Sequence, residues 1–90
     1  MQTELTAVFY GKVQGVFFRS LVKKYAQKLN LSGYAKNMSD GSVEVKAVGE
    51  KPKLQTFLEQ IQHKPILGKI EKVEVSYAQA SSSYKSFLVL

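Results

Sequence analysis

The stretch of sequence around which the chain is organised reads Gly11-Lys12-Val13-Gln14-Gly15-Val16-Phe17-Phe18-Arg19-Ser20. It lies between a strand-like run and a helix-like run. It contains Arg19, the only arginine among 13 basic residues. A cation at the start of a helix has the unfavourable sign for the helix dipole, and a bound anion would resolve that conflict. The stretch therefore predicts a site for an anion.

The residues on either side of this stretch predict a strand followed by a helix. Leu5 to Tyr10 is an apolar, β-favouring run that ends at Gly11, which predicts a first strand. From Arg19 to Asn30 the apolar residues recur at helical spacing, which predicts a first helix. Phe18 lies one turn before the apolar stripe of this helix, so we expect it to be buried with that stripe.

The rest of the chain continues in the same alternating way. The predicted ranges are strand two at Gly33–Met38, a turn at Ser39-Asp40-Gly41, strand three at Ser42–Val48, helix two from Pro52 to near His63, strand four at Ile70–Tyr77 and a short last strand at Tyr84–Leu90. The order βαββαβ predicts an α+β, ferredoxin-like two-layer sandwich, with an antiparallel sheet and two helices on one face. We expect residues 1–90 to form a single domain.

Composition excludes several classes of function. The chain has no cysteine, so disulfides, thiolate metal sites and cysteine nucleophiles are excluded. No group of carboxylates and histidines has metal-ligand spacing, so we expect neither a metal nor a cofactor. His63, the only histidine, is expected to be a solvated residue at the end of helix two. No apolar run reaches the ~18 residues of a membrane span, and no secretory signal opens the chain, so we expect a cytoplasmic protein.

The net charge of +6 favours anionic partners. The lysines are scattered rather than gathered into a polybasic tract, which argues against specific nucleic-acid binding. The predicted topology also occurs in RNA-recognition domains, but strand three contains none of the aromatic residues on which those domains stack bases.

The loop residues themselves suit an anion. Gly15 permits backbone angles that turn N–H groups inward, and successive inward N–H groups form an anion-binding nest. Arg19 adds a planar fork that can pair with two phosphate or carboxylate oxygens. The alternative is an ordinary strand-to-helix turn with a surface arginine, because a Gly-x-x-x-Gly spacing alone is a weak signal. The Gly-Lys-Ser/Thr ending of a nucleotide-binding loop is absent.

Asn37 is the second unusual residue, because asparagine is disfavoured in strands and this one ends strand two. It could simply bond its local backbone beside the turn. It could also hold a water molecule by accepting one hydrogen bond and donating another. The sequence alone leaves open whether Asn37 faces the loop.

Two stretches resemble the signature segments of the acylphosphatase family: Gly11–Arg19 and Leu31–Glu44. The resemblance continues through nearly the whole chain to Phe87-Leu88-Val89. Tyr34 stands where the family often has tryptophan, and Asn30 where glycine is frequent. The resemblance implies the ferredoxin-like fold and an enzyme that hydrolyses the carboxyl–phosphate bond of acyl phosphates.

The resemblance also implies roles for individual residues. Arg19 matches the phosphate-binding arginine and Asn37 the asparagine that positions the attacking water. The loop that cradles the substrate phosphate is matched by Gln14, Gly15, Val16, Phe17, Phe18 and Arg19. The implied partners are an acyl phosphate and inorganic phosphate, the latter as product and competitive inhibitor, and a monomer is expected. A non-catalytic phosphate-binding or regulatory module of the same fold remains the alternative.

Overall fold

Seven elements follow one another in a computed structural model that describes residues 2–15, 17–63 and 68–90. They are β1 (Thr3–Lys12), α1 (Phe18–Lys28), β2 (Ser32–Asn37), β3 (Val43–Gly49), α2 (Lys51–His63), β4 (Lys69–Gln79) and β5 (Phe87–Val89). The predicted βαββαβ order with a final strand is confirmed. The boundaries lie within three residues of the predicted ones, as is usual for element ends.

The five strands form one sheet in the order β4-β1-β3-β2-β5. The pairs β4–β1, β1–β3 and β3–β2 are antiparallel, as predicted. The last strand differs, because β5 pairs with β2 in parallel and makes the sheet mixed. The predicted two-layer arrangement is otherwise confirmed, with α1 and α2 packed on each other and against the sheet.

The core lies between the helices and one face of the sheet. Alternate residues of the two central strands point into it and are fully buried: Leu5, Ala7 and Phe9 from β1, and Val43, Val45 and Ala47 from β3. The helices contribute residues at the predicted helical spacing, namely Phe18, Val22 and Ala26 from α1 and Leu54, Phe57 and Ile61 from α2. Burying each of the larger side chains stabilises the fold by roughly 1.5–3 kcal/mol.

Strand β1 continues two residues beyond the predicted end at Tyr10. Gly11 and Lys12 pair with Ile70 and Lys69 of β4 after a shift in register. Gly11 has a φ of 125°, and a Cβ at this position would overlap the carbonyl oxygen of Lys69. Gly11 therefore does not end the strand but allows a close approach of two backbones.

The end of α1 explains why asparagine is accepted at position 30. Asn30 has a φ of 56°, in the left-handed region that glycine and asparagine tolerate best. The N–H of Leu31 bonds the carbonyl oxygen of Ala26 at 2.9 Å, and the N–H of Asn30 bonds that of Gln27 at 3.1 Å. These two bonds form a Schellman motif, which ends the helix.

Candidate active site

Sheet topology brings the loop after β1 and the end of β2 to the same edge of the sheet. Both strands are antiparallel to β3, so they run parallel to each other. The carboxyl ends of parallel strands lie at one edge. Asn37, the last residue of β2, and the loop that begins at Val13 therefore share this edge, which the sequence alone had left open.

The loop is held at both ends by buried apolar side chains. Val13 and Phe18 are each only 1% exposed. The Phe18 ring packs edge-on against that of Phe9, with 5.0 Å between ring centroids. These anchors fix the loop backbone relative to β1, because rings packed in this way gain from both burial and their edge-to-face geometry.

The backbone between the anchors takes left-handed conformations. Gly15 has a φ of 73°, and Phe17 has a φ of 61° with a ψ of 19°. Left-handed geometry is uncommon for a bulky residue such as Phe17 and indicates a local constraint. The Phe17 side chain is 80% exposed, so packing of its ring does not explain the conformation. Left-handed residues occur in anion-binding nests, so the conformation is compatible with a role of this loop in binding an anion.

The start of α1 lacks the groups that normally satisfy a helix N-terminus. Phe17 at the N-cap makes no side-chain capping bond, and the first turn contains no acidic residue. The first backbone bond of the helix runs from the Leu21 N–H to the Phe17 carbonyl oxygen at 3.1 Å. The N–H groups of residues 18 to 20 precede it and find no acceptor within the helix. An uncapped helix start of this kind favours an anion.

A cavity of about 200 Å³ opens at this helix start. It is lined by Val13, Gly15, Phe17, Phe18, Arg19 and Ser20. A water molecule takes about 30 Å³ of liquid, so the cavity has room for a tetrahedral anion and several waters. The residues that line it include four of the predicted phosphate-loop residues.

Arg19 lines this cavity, and its side chain makes one hydrogen bond to the described part of the chain. Its Nη1 donates a hydrogen bond to the backbone carbonyl oxygen of Leu90. In residues 2–15, 17–63 and 68–90 no acidic side chain forms an ion pair with it. A guanidinium carries five N–H donors, so this bond uses one of them and the others can pair with a ligand.

Gln14 joins the loop to the hairpin that follows β2. Its Nε2 donates to the carbonyl oxygens of Met38 at 2.8 Å and Ser42 at 2.9 Å. Met38 directly follows Asn37. Sequence reasoning places Gln14 in the phosphate loop but does not predict these side-chain bonds, since their acceptors lie 24 and 28 positions away.

Asn37 has an unused acceptor. Its side-chain Oδ1 is buried and has no hydrogen-bond partner within the described part of the chain. Buried polar atoms are nearly always bonded, so an orphan calls for an explanation such as a bound water or ligand. Asn37 is not one of the residues that line the cavity beside Arg19. It stands next to the Gln14 bridge instead.

The turn after Asn37 is stiffened by Asp40. Its Oδ1 accepts hydrogen bonds from the Ser42 N–H at 2.9 Å and the Ser42 hydroxyl at 2.5 Å. The Ser42 hydroxyl, followed by the Ser42 N–H, holds the pKa of the Asp40 carboxyl below its usual value, because both stabilise the ionised form. The hairpin that carries Asn37 is therefore fixed at both the turn and the loop.

Three expectations need a further remark. Val16 lies outside the described residues, so its predicted place in the phosphate loop stays a prediction. Among the residues that the structure describes, no group of three His, Asp or Glu side chains could hold a metal ion. In the same residues, no helix combines the length and the apolar character needed to cross a membrane.

Comparisons with known proteins agree with the geometry. The Acylphosphatase family model matches residues 5–89. An acylphosphatase of Thermus thermophilus is 45% identical over 75 residues, which span 83% of this chain and 85% of that protein. One of Dehalococcoides mccartyi is 41% identical over 94% of both chains. The crystal structure of the Bacillus subtilis acylphosphatase superposes with a TM-score of 0.92 at 31% identity, covering 98% of both chains. The chain therefore belongs to the acylphosphatase family.

Proposed function

We propose that this chain hydrolyses acyl phosphates to a carboxylate and inorganic phosphate, with Arg19 and the loop amides binding the phosphoryl group and Asn37 positioning the water. The family assignment supports the reaction. The observation that carries the assignment of residues is the uncapped start of α1, which opens with Arg19 into one cavity.

The phosphoryl group is held by charge and by preorganised donors. The cavity offers the N–H groups of the first helical turn, the left-handed backbone at Gly15 and Phe17, and the Arg19 guanidinium. Phosphoryl transfer depends mainly on positioning and on stabilising the charge of the three equatorial oxygens. Donors fixed in a folded backbone need no reorganisation when that charge develops.

The attacking water is assigned to Asn37. Its buried Oδ1 accepts a hydrogen from the water, while the amide nitrogen can donate to an oxygen. The water oxygen forms a bond to phosphorus as the bond from phosphorus to the acyl oxygen breaks, and the electron pair leaves with the carboxylate. The proton from the water passes to a phosphate oxygen of the substrate, so the products are a carboxylate and protonated phosphate.

This reaction requires little acid–base assistance from the protein. A carboxylate is a weakly basic leaving group, so it departs without protonation by a general acid. The charge on the phosphoryl oxygens is met by Arg19 and the backbone, and we propose that no metal takes part. His63, exposed at the end of α2, has no part in the proposed step.

Hydrolysis of benzoyl phosphate by the purified chain tests the proposal. We expect equal turnover with and without a metal chelator, and competitive inhibition by inorganic phosphate. Turnover that disappears with the chelator would contradict the metal-free mechanism. No turnover at all would favour the non-catalytic alternative. We further propose a cytoplasmic monomer, which gel filtration and cell fractionation test.

A further inference from the structure

We infer that the Gln14 side chain is a positioning residue, which sets the distance between the phosphate-binding loop and the hairpin that carries Asn37. The inference rests on the proposed function, because it assigns to Gln14 the alignment of the two halves of that site. It concerns the side chain alone and adds to any role of the Gln14 backbone in the loop.

The geometry of the Gln14 amide carries this inference. Both hydrogens of one –NH₂ group are used, toward carbonyl oxygens at the two ends of the hairpin turn: Met38 O at 2.8 Å and Ser42 O at 2.9 Å. A planar amide that donates to two fixed acceptors is constrained in direction as well as in distance. These are the side-chain hydrogen bonds that join loop and hairpin among the residues that the structure describes.

The two acceptors already take part in the turn. The Met38 N–H bonds the Ser42 carbonyl oxygen at 2.8 Å, and the Gly41 N–H bonds that of Met38 at 3.2 Å. Each carbonyl has a second lone pair, and the Gln14 amide occupies it. Gln14 therefore bonds to a turn that its own backbone hydrogen bonds already hold rigid. A shift of the Gln14 side chain would then shift residues 38–42 together.

The bridge also lies where the sheet no longer supplies a connection. The last row of paired residues toward this edge is Phe9, Val43 and Asn37, across β1, β3 and β2. Beyond this row, residues 10–15 of the described chain have no ladder partner in β3. Gln14 replaces the ladder there, one residue past Asn37 on the hairpin side. Without it, Asn37 would be held through its pairing with Val43 and the loop through the buried Val13 and Phe18, with no direct side-chain bond between loop and hairpin in the described residues.

If Gln14 positions Asn37, loss of the bridge should affect the turnover number and the affinity for phosphate differently. Breaking the bridge displaces Asn37 from the water but leaves the helix start and Arg19 in place. Turnover number should therefore fall, whereas the affinity for inorganic phosphate should change little. General loss of structure would lower both together.

Gln14→Glu is the sharpest substitution, because it keeps the shape and replaces the donor by an oxygen that faces two carbonyl oxygens. At pH 7 we expect kcat to fall at least about tenfold. The new carboxylate also repels phosphate, so the inhibition constant of phosphate is compared in the uncharged Gln14→Met variant, where it should stay within about twofold of the unsubstituted value. Protonation of the new carboxyl restores one donor, so kcat relative to the unsubstituted protein should rise as pH is lowered. Gln55→Glu, an exposed change of the same charge on α2, is the matched control and should leave kcat unchanged.

A double-mutant cycle tests whether Gln14 acts through Asn37. Gln14→Met, of similar size and without a donor, should lower kcat in the unsubstituted chain but not further in an Asn37→Ala chain. Full kcat in both Gln14 variants overturns the inference. A kcat of the double variant that falls by the product of the two separate losses also overturns it. So does a phosphate inhibition constant of Gln14→Met that rises in parallel with the fall in kcat.

A measurement on the unsubstituted protein tests the Gln14 bridge even if the variants fail to fold. The side-chain amide hydrogens of Gln14 should exchange with water at least about tenfold more slowly than those of exposed Gln55, as resolved by NMR. Equal exchange rates would overturn the bridge. If the unsubstituted protein is active and any of these contrary results is found, only the inference about Gln14 is refuted. If the unsubstituted protein is inactive, the proposed function itself is refuted.

Discussion

The guanidinium of Arg19 and the backbone carbonyl oxygen of Leu90 are joined by a hydrogen bond across 71 positions of sequence. The contact fixes the direction of the Arg19 side chain against the residue that follows β5. It uses one of the five N–H donors of the guanidinium, so the other four are the ones that can pair with a bound anion.

Arg19→Gln should remove phosphate binding and turnover while the fold persists. The side chain loses its charge and its planar fork, and the loss of one preorganised group of this kind costs about 10²–10³ in turnover. Steady-state hydrolysis of benzoyl phosphate and phosphate titration measure the two effects. Lys24→Gln, an exposed change of the same charge on α1, is the control and should retain activity. An active Arg19→Gln protein would refute the assignment.

Asn37→Ala should lower turnover but leave phosphate binding intact. The variant loses the orphan Oδ1 to which the water is assigned, and it keeps the cavity at the helix start. We expect kcat to fall about 10²–10³-fold, with an inhibition constant for phosphate close to the unsubstituted one. Unchanged kcat would mean that the water is held elsewhere.

Inorganic phosphate should stabilise the folded protein. A ligand present at 100 times its dissociation constant adds about 2.7 kcal/mol to the free energy of unfolding when it binds the folded state alone. Thermal unfolding followed by circular dichroism should therefore shift upward with phosphate, and much less with chloride at equal ionic strength. Arg19→Gln should show no such phosphate shift. An equal shift in that variant would place the anion elsewhere.

Asn30 offers a prediction on stability that is separate from the site. Its left-handed φ of 56° is easier for glycine than for any residue with a Cβ. Asn30→Gly should raise the free energy of unfolding by up to about 1 kcal/mol, and Asn30→Ala should lower it by a similar amount. Urea unfolding measures both variants. Equal stability of the two would show that the Schellman turn relaxes.

The lowered pKa of Asp40 predicts a stability difference that depends on pH. A carboxyl whose folded pKa lies below the ordinary value of 3.8 stabilises the fold above that value and loses this contribution as pH falls through its folded pKa. Unfolding of the natural chain and of Asp40→Asn should be compared at pH 6 and pH 2. Between pH 6 and pH 2, the free energy of unfolding of the natural chain should fall by more than that of the variant, because the variant's amide does not titrate. The contributions of the other carboxyl groups are the same in both proteins and cancel in the comparison. Parallel losses would contradict the bonds from Ser42.

Local patterns were sufficient for most of the fold. The helical spacing after Arg19 predicted α1 and the burial of Phe18, and the strand pattern at Ser42–Val48 predicted β3 to within one residue at each end. The parallel pairing of β5 could not be predicted, because it depends on an edge that exists only once β2 is in place. The sequence predicts a strand end at Gly11, whereas its actual role depends on the backbone of Lys69, which lies against it only in the folded sheet.

The same distinction holds for the candidate site: local patterns predicted part of it, and the rest depends on contacts between distant parts of the chain. The loop was recognised from glycine spacing and a lone arginine, and resemblance rather than physics added Asn37. The bridge from Gln14 and the contact of Arg19 with Leu90 were missed, because the acceptors are backbone carbonyls far along the chain. A carbonyl oxygen is the same on every residue, so no side-chain pattern marks it as a partner.

The place of β3 between β1 and β2 has a consequence for folding. Helices form from local contacts, whereas the row of Phe9, Val43 and Asn37 joins parts of the chain that are distant in sequence, and such pairing is slow. The loop and the hairpin lie directly beyond that row, so we expect activity to return during refolding only once the three central strands have paired.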